Sequence, residues 1–236
     1  MKIARWMIGA LLVAAAAITV SLLLSPSRDH WPVAQVQSQA QPGEVTLTFL
    51  GTSTVLVSDG TTHLLTDGYF SRVSIPQLFG MIEPNQQRID SALKQANISE
   101  LAAIPVLHSH FDHAMDSPMV AQRTGAQLLG SASTAMVGRG GGLPESRITT
   151  IETHHPYQFG QFPVQFVPAS HVPLPAAVEA MTGKGDIAAP VTPPARVGAW
   201  EEGQSYAVVI THPAGSLLVQ GSSGAAPGAL TGYQAD

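Results

Sequence analysis

Apolar residues fall along this chain in two regimes. Between Trp6 and Leu24 nineteen consecutive residues carry no charge, and only Thr19 and Ser21 bring hydroxyls into the stretch. A helix of that length, at about 1.5 Å per residue, spans a hydrocarbon core of about 30 Å. Lys2 and Arg5 lie on its N-terminal flank, the arrangement that sends the following chain across a membrane. Residues 1–24 therefore read as a signal anchor or signal peptide, forming an N-terminal transmembrane helix. No small-x-small site directly follows Leu24, and Ser38-Gln39-Ala40 lies far downstream, so the uncleaved anchor is favoured. The domain is then expected outside the cytoplasm, in the cell envelope or periplasm, or secreted if cleavage occurs. Residues 25–43, rich in Ser, Gln and Pro, read as a tether.

From Glu44 onward the pattern breaks into short β-rich runs bounded by turn residues. Val45 to Leu50, Thr54 to Val57 and His63 to Thr66 predict an antiparallel meander. Gln86 to Ala96 predicts an exposed helix, Ala102 to Leu107 a buried strand, and Met115 to Arg123 a helix ended by Gly125. Strands then follow at Ala126 to Leu129, Ile148 to Glu152, Val164 to Val167 and Ser216 to Gln220, with a short helix over Ser131 to Val137. The run Arg139-Gly140-Gly141-Gly142 predicts a flexible turn. Val172 to Gly203, with five prolines, reads as a long loop of little regular structure apart from a short helix near Ala176 to Met181. Residues 44–236 thus form one α/β domain.

Composition narrows the chemistry. The 236 residues hold 11 Lys plus Arg against 16 Asp plus Glu, a balance that argues against a nucleic-acid partner. With no Cys, disulfides, thiolate ligands and a Cys nucleophile are excluded, so any metal must sit on His, Asp or Glu. A cluster of such residues occurs where the buried strand ends, in Leu107-His108-Ser109-His110-Phe111-Asp112-His113. Spacing by two puts His108 and His110 on one side of an extended segment, and a turn near Phe111 brings Asp112 and His113 toward the same place. One such His would be an ordinary core or surface residue. Several imidazoles beside a carboxylate at the end of an apolar strand carry a desolvation and charge cost that a metal ion removes.

This His-x-His-x-Asp-His segment resembles the signature of the metallo-β-lactamase superfamily. Phe49-Leu50-Gly51-Thr52-Ser53-Thr54-Val55-Leu56-Val57 with Leu64-Leu65-Thr66-Asp67-Gly68 is similar to the family's opening hairpin, and Phe162 to His171 to the strand that delivers a third His. The resemblance covers about residues 45 to 236. The finer likeness, through Gly-x-Ser-x-Val-Leu and Thr-Asp-Gly-Tyr-Phe-Ser, is to the branch holding the ascorbate-phosphate lactonase and the N-acyl-phosphatidylethanolamine phospholipase D enzymes. It implies a metallo-β-lactamase-like αββα sandwich. It also implies that His108, His110 and His171 hold one metal while Asp112 and His113 contribute to a second. Zn²⁺ is the cofactor expected, as one or two ions, with Mn or Fe as alternatives. Asp112 is the candidate catalytic group, orienting water or accepting its proton. Asp67 reads equally as an acceptor fixing a His tautomer and as a turn residue before Gly68.

Two departures accompany the match. Ser222 stands where the family places a metal-bridging Asp, so one tightly held ion is the safer expectation; its hydroxyl reads equally as a water or substrate partner and as a turn serine. The family also supplies a later His, and this sequence has none after His212. The chain is accordingly expected to be a truncated form, with an incomplete sandwich and an open edge. The implied activity is hydrolysis of an ester, lactone, amide or phosphodiester in a small-molecule or lipid-like substrate. Leu174, Val178, Met181 and Trp200 either receive an acyl chain or a membrane surface, or pack the long loop onto the domain. The competing expectation is a catalytically inactive, membrane-anchored metal-binding or scaffold protein of the same fold. His30, His63, His154, His155 and His212 are left outside the site.

Overall fold

A computed structural model describes residues 6, 7, 9, 10, 12–16, 18, 43–224, 228, 230–233 and 235. The chain divides into two units, residues 1–37 and 38–236. In the first, all ten described residues are helical. The rest of the expected membrane segment, and the tether through Pro42, lie outside the described residues. Among the described residues no helix is long and apolar enough to cross a membrane.

The second unit is built on two sheets. In the first, β1 (Thr46–Gly51), β2 (Thr54–Ser58) and β3 (His63–Leu65) form the antiparallel meander. Three parallel strands continue it, β5 (Ala103–Pro105), β6 (Gln127–Gly130) and β7 (Ile148–Thr150), in the order β1-β2-β3-β5-β6-β7. A two-residue strand, β4 (Met81–Ile82), pairs instead with β10 (Ala195–Arg196). The second sheet is antiparallel: β8 (Tyr157–Phe159), β9 (Phe162–His171), β11 (Ser205–His212), β12 (Gly215–Val219) and β13 (Ser223–Gly224), with β9 and β11 at its centre.

Parallel strands need covering crossovers, and the sequence supplies them as helices. α1 (Gln86–Gln95) starts at Asn85, whose side chain accepts from the Arg88 N–H. α2 (Phe111–Ala114) is a single turn, and α3 (Ser117–Thr124) ends at Gly125 in the left-handed conformation that glycine adopts without strain. α4 (Ala132–Gly140) is capped by Ser131. Ile89, Leu93, Val120 and Val137 from these helices pack with Leu65, Ile104, Val106 and Trp200 on one face of the first sheet. Its other face meets the second sheet through Val57, Leu64, Leu107 and Leu129 against Phe162, Phe166, Tyr206 and Val208. Each large side chain removed from water there contributes about 1.5–3 kcal/mol before the entropy of ordering it is subtracted.

On β11, Tyr206, Val208 and Ile210 face the first sheet, whereas Ala207 and Val209 are buried on the outer face. Strand alternation predicts that division. Among the described residues the outer face packs with Leu218, Leu230 and Tyr233, where the αββα expectation would place a second helical layer.

Some sequence expectations need correction. Arg139 and Gly140 belong to the last turn of α4 rather than to a flexible turn. Glycine is required at 140 by close approach: a Cβ there would lie 2.0 Å from the Val191 carbonyl oxygen. The long loop over residues 172–203 contains α5 (Ala176–Thr182), β10 and a 3-10 turn at Val197–Ala199. The strand expected over Ala102 to Leu107 is regular at Ala103–Pro105, with Ala102 and Val106 still bonded to His63 and Leu129 across the sheet, and it stops short of Leu107, which gives its N–H to the Asp67 carboxylate.

Candidate metal centre

The strand ends where the site begins. The N–H of Asp67 donates to the Pro105 carbonyl, and the Asp67 Oδ1 accepts from Leu107 N–H at 2.8 Å, which turns the chain out of the first sheet. The Leu107 carbonyl then accepts from Tyr206 N–H on the second sheet, so the next residues sit at the mouth between the two sheets. His108 and His110 are buried there, with Nε2 of one facing Nδ1 of the other at 3.1 Å. His171, the last residue of β9, enters from the opposite sheet, its ring centre 4.8 Å from that of His108 and 5.0 Å from that of His110.

Among the described residues these three make one convergent group, each offering one ligand atom within 4.8 Å of the others. Hydrogen bonds set their tautomers. His110 Nε2–H donates to the Gly183 carbonyl at 3.1 Å, leaving Nδ1 as a lone pair; His171 Nδ1–H donates to the Val172 carbonyl at 2.7 Å, leaving Nε2. Burial, reinforced by the neighbouring imidazoles His113, His110 and His171, holds the His108 pKa well below the usual histidine value. Burial also lowers that of His110, against the opposing pull of the Gly183 carbonyl. Three convergent imidazoles, two of them disfavoured as cations by burial, are a donor set that Zn²⁺ and similar ions take, so the residues present fit a metal.

The other predicted residues lie beside this triad. His113, on α2, stacks on His108 at 3.8 Å between ring centres and donates Nδ1–H to Asp67 Oδ2 at 2.7 Å, with the Ser53 hydroxyl 3.0 Å from the same nitrogen. Burial, the largest influence on His113, disfavours its imidazolium form, but the charge and hydrogen bond of Asp67 outweigh it and raise the pKa. Asp67 therefore fixes a His tautomer and occupies a turn, at φ +54°. Asp112 is half-buried and outside the convergent group, yet close enough for its charge to favour protonation of His110 and His113. Ser222 is half-buried in the turn before β13, and its carbonyl accepts from Val172 N–H beside His171.

Supporting groups with little sequence signal surround the site. Ser53 reaches His113; the Ser109 hydroxyl lies 3.3 Å from that of Ser131. Glu202 holds Ser109 N–H through its carbonyl. Asp116, wholly buried, accepts from the N–H groups of Phe70 and Ser71 and the Ser71 hydroxyl, tying the loop after Asp67 to α3. Its position one helical turn after Asp112 is the one hint that a carboxylate would face inward. The histidines set aside remain apart: His154 meets Tyr233, His155 stands edge-on to Tyr157, and His212 packs on Phe162. His30 lies outside the described residues.

No protein-family model matches this chain, and no curated protein matches it either. Solved structures resemble it more distantly. Igni18, a metallo hydrolase from the hyperthermophilic archaeon Ignicoccus hospitalis, is 16% identical over 78% of this chain and 63% of its own, with a TM-score of 0.47. The metallo-β-lactamase fold protein YhfI from Bacillus subtilis is 16% identical over 71% of this chain and 53% of its own, at 0.42. CmlA, a diiron β-hydroxylase from Streptomyces venezuelae, is 16% identical over 78% of this chain and 31% of its own, at 0.47. The chain spans between about half and just under two thirds of the length of the first three structures it matches.

Proposed function

We propose that the chain is a metal-dependent hydrolase of the metallo-β-lactamase superfamily, acting on an ester, lactone, amide or phosphodiester. The observation that carries this reading is the convergence of His108, His110 and His171 from two sheets, with main-chain acceptors that fix the tautomers of His110 and His171. A divalent ion on those nitrogens would supply a Lewis acid and lower the pKa of water near it. The chain's own residues do the rest. Gly183 and Val172 hold two of the rings in place, Asp67 orients His113, and Asp112 is available to accept a proton from attacking water. The resemblance of the opening hairpin supports a place in the lactonase and phospholipase D-like branch. The apolar segment 6–24 behind Lys2 and Arg5 supports an anchored domain outside the cytoplasm.

The test is metal content by elemental analysis of the full chain in detergent, beside turnover of p-nitrophenyl acetate and bis(p-nitrophenyl) phosphate. We expect about one zinc ion per chain, and loss of both metal and turnover in His110→Ala and His171→Ala. Folded protein without metal would refute the assignment. Metal without turnover on any ester, lactone, amide or phosphodiester would favour the inactive, metal-binding scaffold, which the serine at position 222 already motivates.

A further inference from the structure

A cavity of about 300 Å³ opens beside the triad, and its lining includes His110, His171, Glu179, Lys184, Glu202 and Gln204. Its charges are unevenly matched. Lys184 is paired with Glu179, its Nζ 3.0 Å from Oε1, so the second carboxylate, Glu202, leaves the lining with one negative charge in excess. Glu202 is also the best anchored of the three. Its carbonyl accepts from Ser109 N–H at 2.9 Å, between two triad residues, and its Oε1 accepts from the Ser205 hydroxyl at 3.0 Å. Gly203 N–H donates to the Gly185 carbonyl, and a Cβ at 203 would lie 2.6 Å from the Ser133 side chain, so this segment has little room to move.

From this geometry we infer that Glu202 selects the substrate: the site takes molecules that bring an ammonium or hydroxyl donor into the cavity and disfavours those that bring a carboxylate. A held carboxylate accepts hydrogen bonds without reorganising, and a cationic donor forms the stronger bond with it. Once a metal's charge is met by the group it binds, a further anion at the far side of the cavity would sit near Glu202 and Glu179, where Lys184, the one Lys or Arg in the lining, is already paired with Glu179. The inference rests on the metal reading above, since it is the triad that makes this cavity a substrate cavity.

The experiment compares three zinc-chelating probes that differ only at the far end: hexanohydroxamate, 6-aminohexanohydroxamate and the monohydroxamate of adipic acid. Binding to the zinc-loaded full chain in detergent is measured by calorimetry, so no turnover is needed. The ammonium probe is expected to bind about 5-fold tighter than the neutral one, and the carboxylate probe weaker than both, as for a half-buried ion pair. In Glu202→Gln, checked for folding by its melting curve, the ammonium advantage should fall to about 1. In Lys184→Met it should rise. Equal affinities, or a carboxylate probe that binds tightest and loses that in Lys184→Met, would overturn the inference while leaving the metal site standing. If no probe binds, or binding survives in His108→Ala, the metal reading itself is wrong and the selectivity argument falls with it.

Discussion

Asp67→Asn separates a residue that orients the site from one that merely makes a turn. Asp67 is wholly buried, and its two carboxylate oxygens each take a short hydrogen bond, one from Leu107 N–H at 2.8 Å and one from His113 Nδ1–H at 2.7 Å. Asparagine keeps the size and tolerates the left-handed backbone at φ +54°, so the turn is not disturbed. It offers a single acceptor oxygen, however. If that oxygen stays with Leu107, the amide NH₂ faces the His113 nitrogen that now donates, and the ring must take the other tautomer or lose its partner. A buried hydrogen bond to a charged group is worth about 1.5–3 kcal/mol, so the metal-free variant should be destabilised by about 2–3 kcal/mol. For a domain of this size that lowers Tm by about 5–10 °C.

The pH dependence adds a sign. Asp67 raises the His113 pKa above its ordinary value, so protonation of His113 adds stability that is fully present below about pH 6.5 and is lost as pH rises through the raised folded value. Denaturant unfolding in the presence of a chelator, at pH 6 and pH 9, should therefore show a larger gap between wild type and Asp67→Asn at pH 6. A gap under about 0.5 kcal/mol, or one that does not change with pH, would refute the reasoning and leave Asp67 as a turn residue.

Three further outcomes follow from the same structure. In metal-free protein, acidification below about pH 6.5 should lower stability, because the unfolded chain takes up protons that burial denies to folded His108 and His110; the slope approaches about 1.4 kcal/mol per pH unit for each proton, and His108→Asn should flatten it in urea titrations from pH 5 to 7. Excess zinc should raise stability by about 2.7 kcal/mol at a hundred times the dissociation constant, a gain seen in thermal melts of wild type and absent in His171→Ala. Gly140→Ala should cost about 1–3 kcal/mol by overpacking against the Val191 backbone, and an unchanged denaturant midpoint would show that the loop is not pressed onto α4 as described.

The elements that sequence patterns located best are those whose stability is local. The helices expected at Gln86 to Ala96 and Ser131 to Val137, the Gly125 stop and the alternating meander at β1 to β3 carry their signals within a few residues. The errors arise where distant backbone decides. Gly140 is glycine because Val191 approaches it, a contact 51 residues away in sequence, whereas a glycine run by itself suggests only freedom. The proline-rich stretch after His171 acquires a helix and a strand because Met181, Ala195 and Trp200 pack on the helical face of the first sheet, and no periodicity within the stretch reports that.

The candidate site divides along the same line. His108 and His110 were visible through their spacing, which a strand end converts into a shared direction. His171 could be joined to them only by resemblance, since its approach depends on how the second sheet stacks on the first, and that stacking is fixed by Phe162, Phe166, Tyr206 and Val208 meeting Leu64 and Leu107. The residues that hold the triad in place were the least legible, because each works through a main-chain group. Gly183 and Val172 use carbonyls, and Glu202 ties Ser109 with its own carbonyl. A side-chain motif records which atoms could bind a metal; the tautomers of His110 and His171 are decided by backbone acceptors, and this is why substitutions at Val172 that preserve the backbone should spare the site, whereas a side chain at Gly183, which sits at φ +82° with Glu201 2.8 Å from where a Cβ would lie, should displace its carbonyl and disturb it.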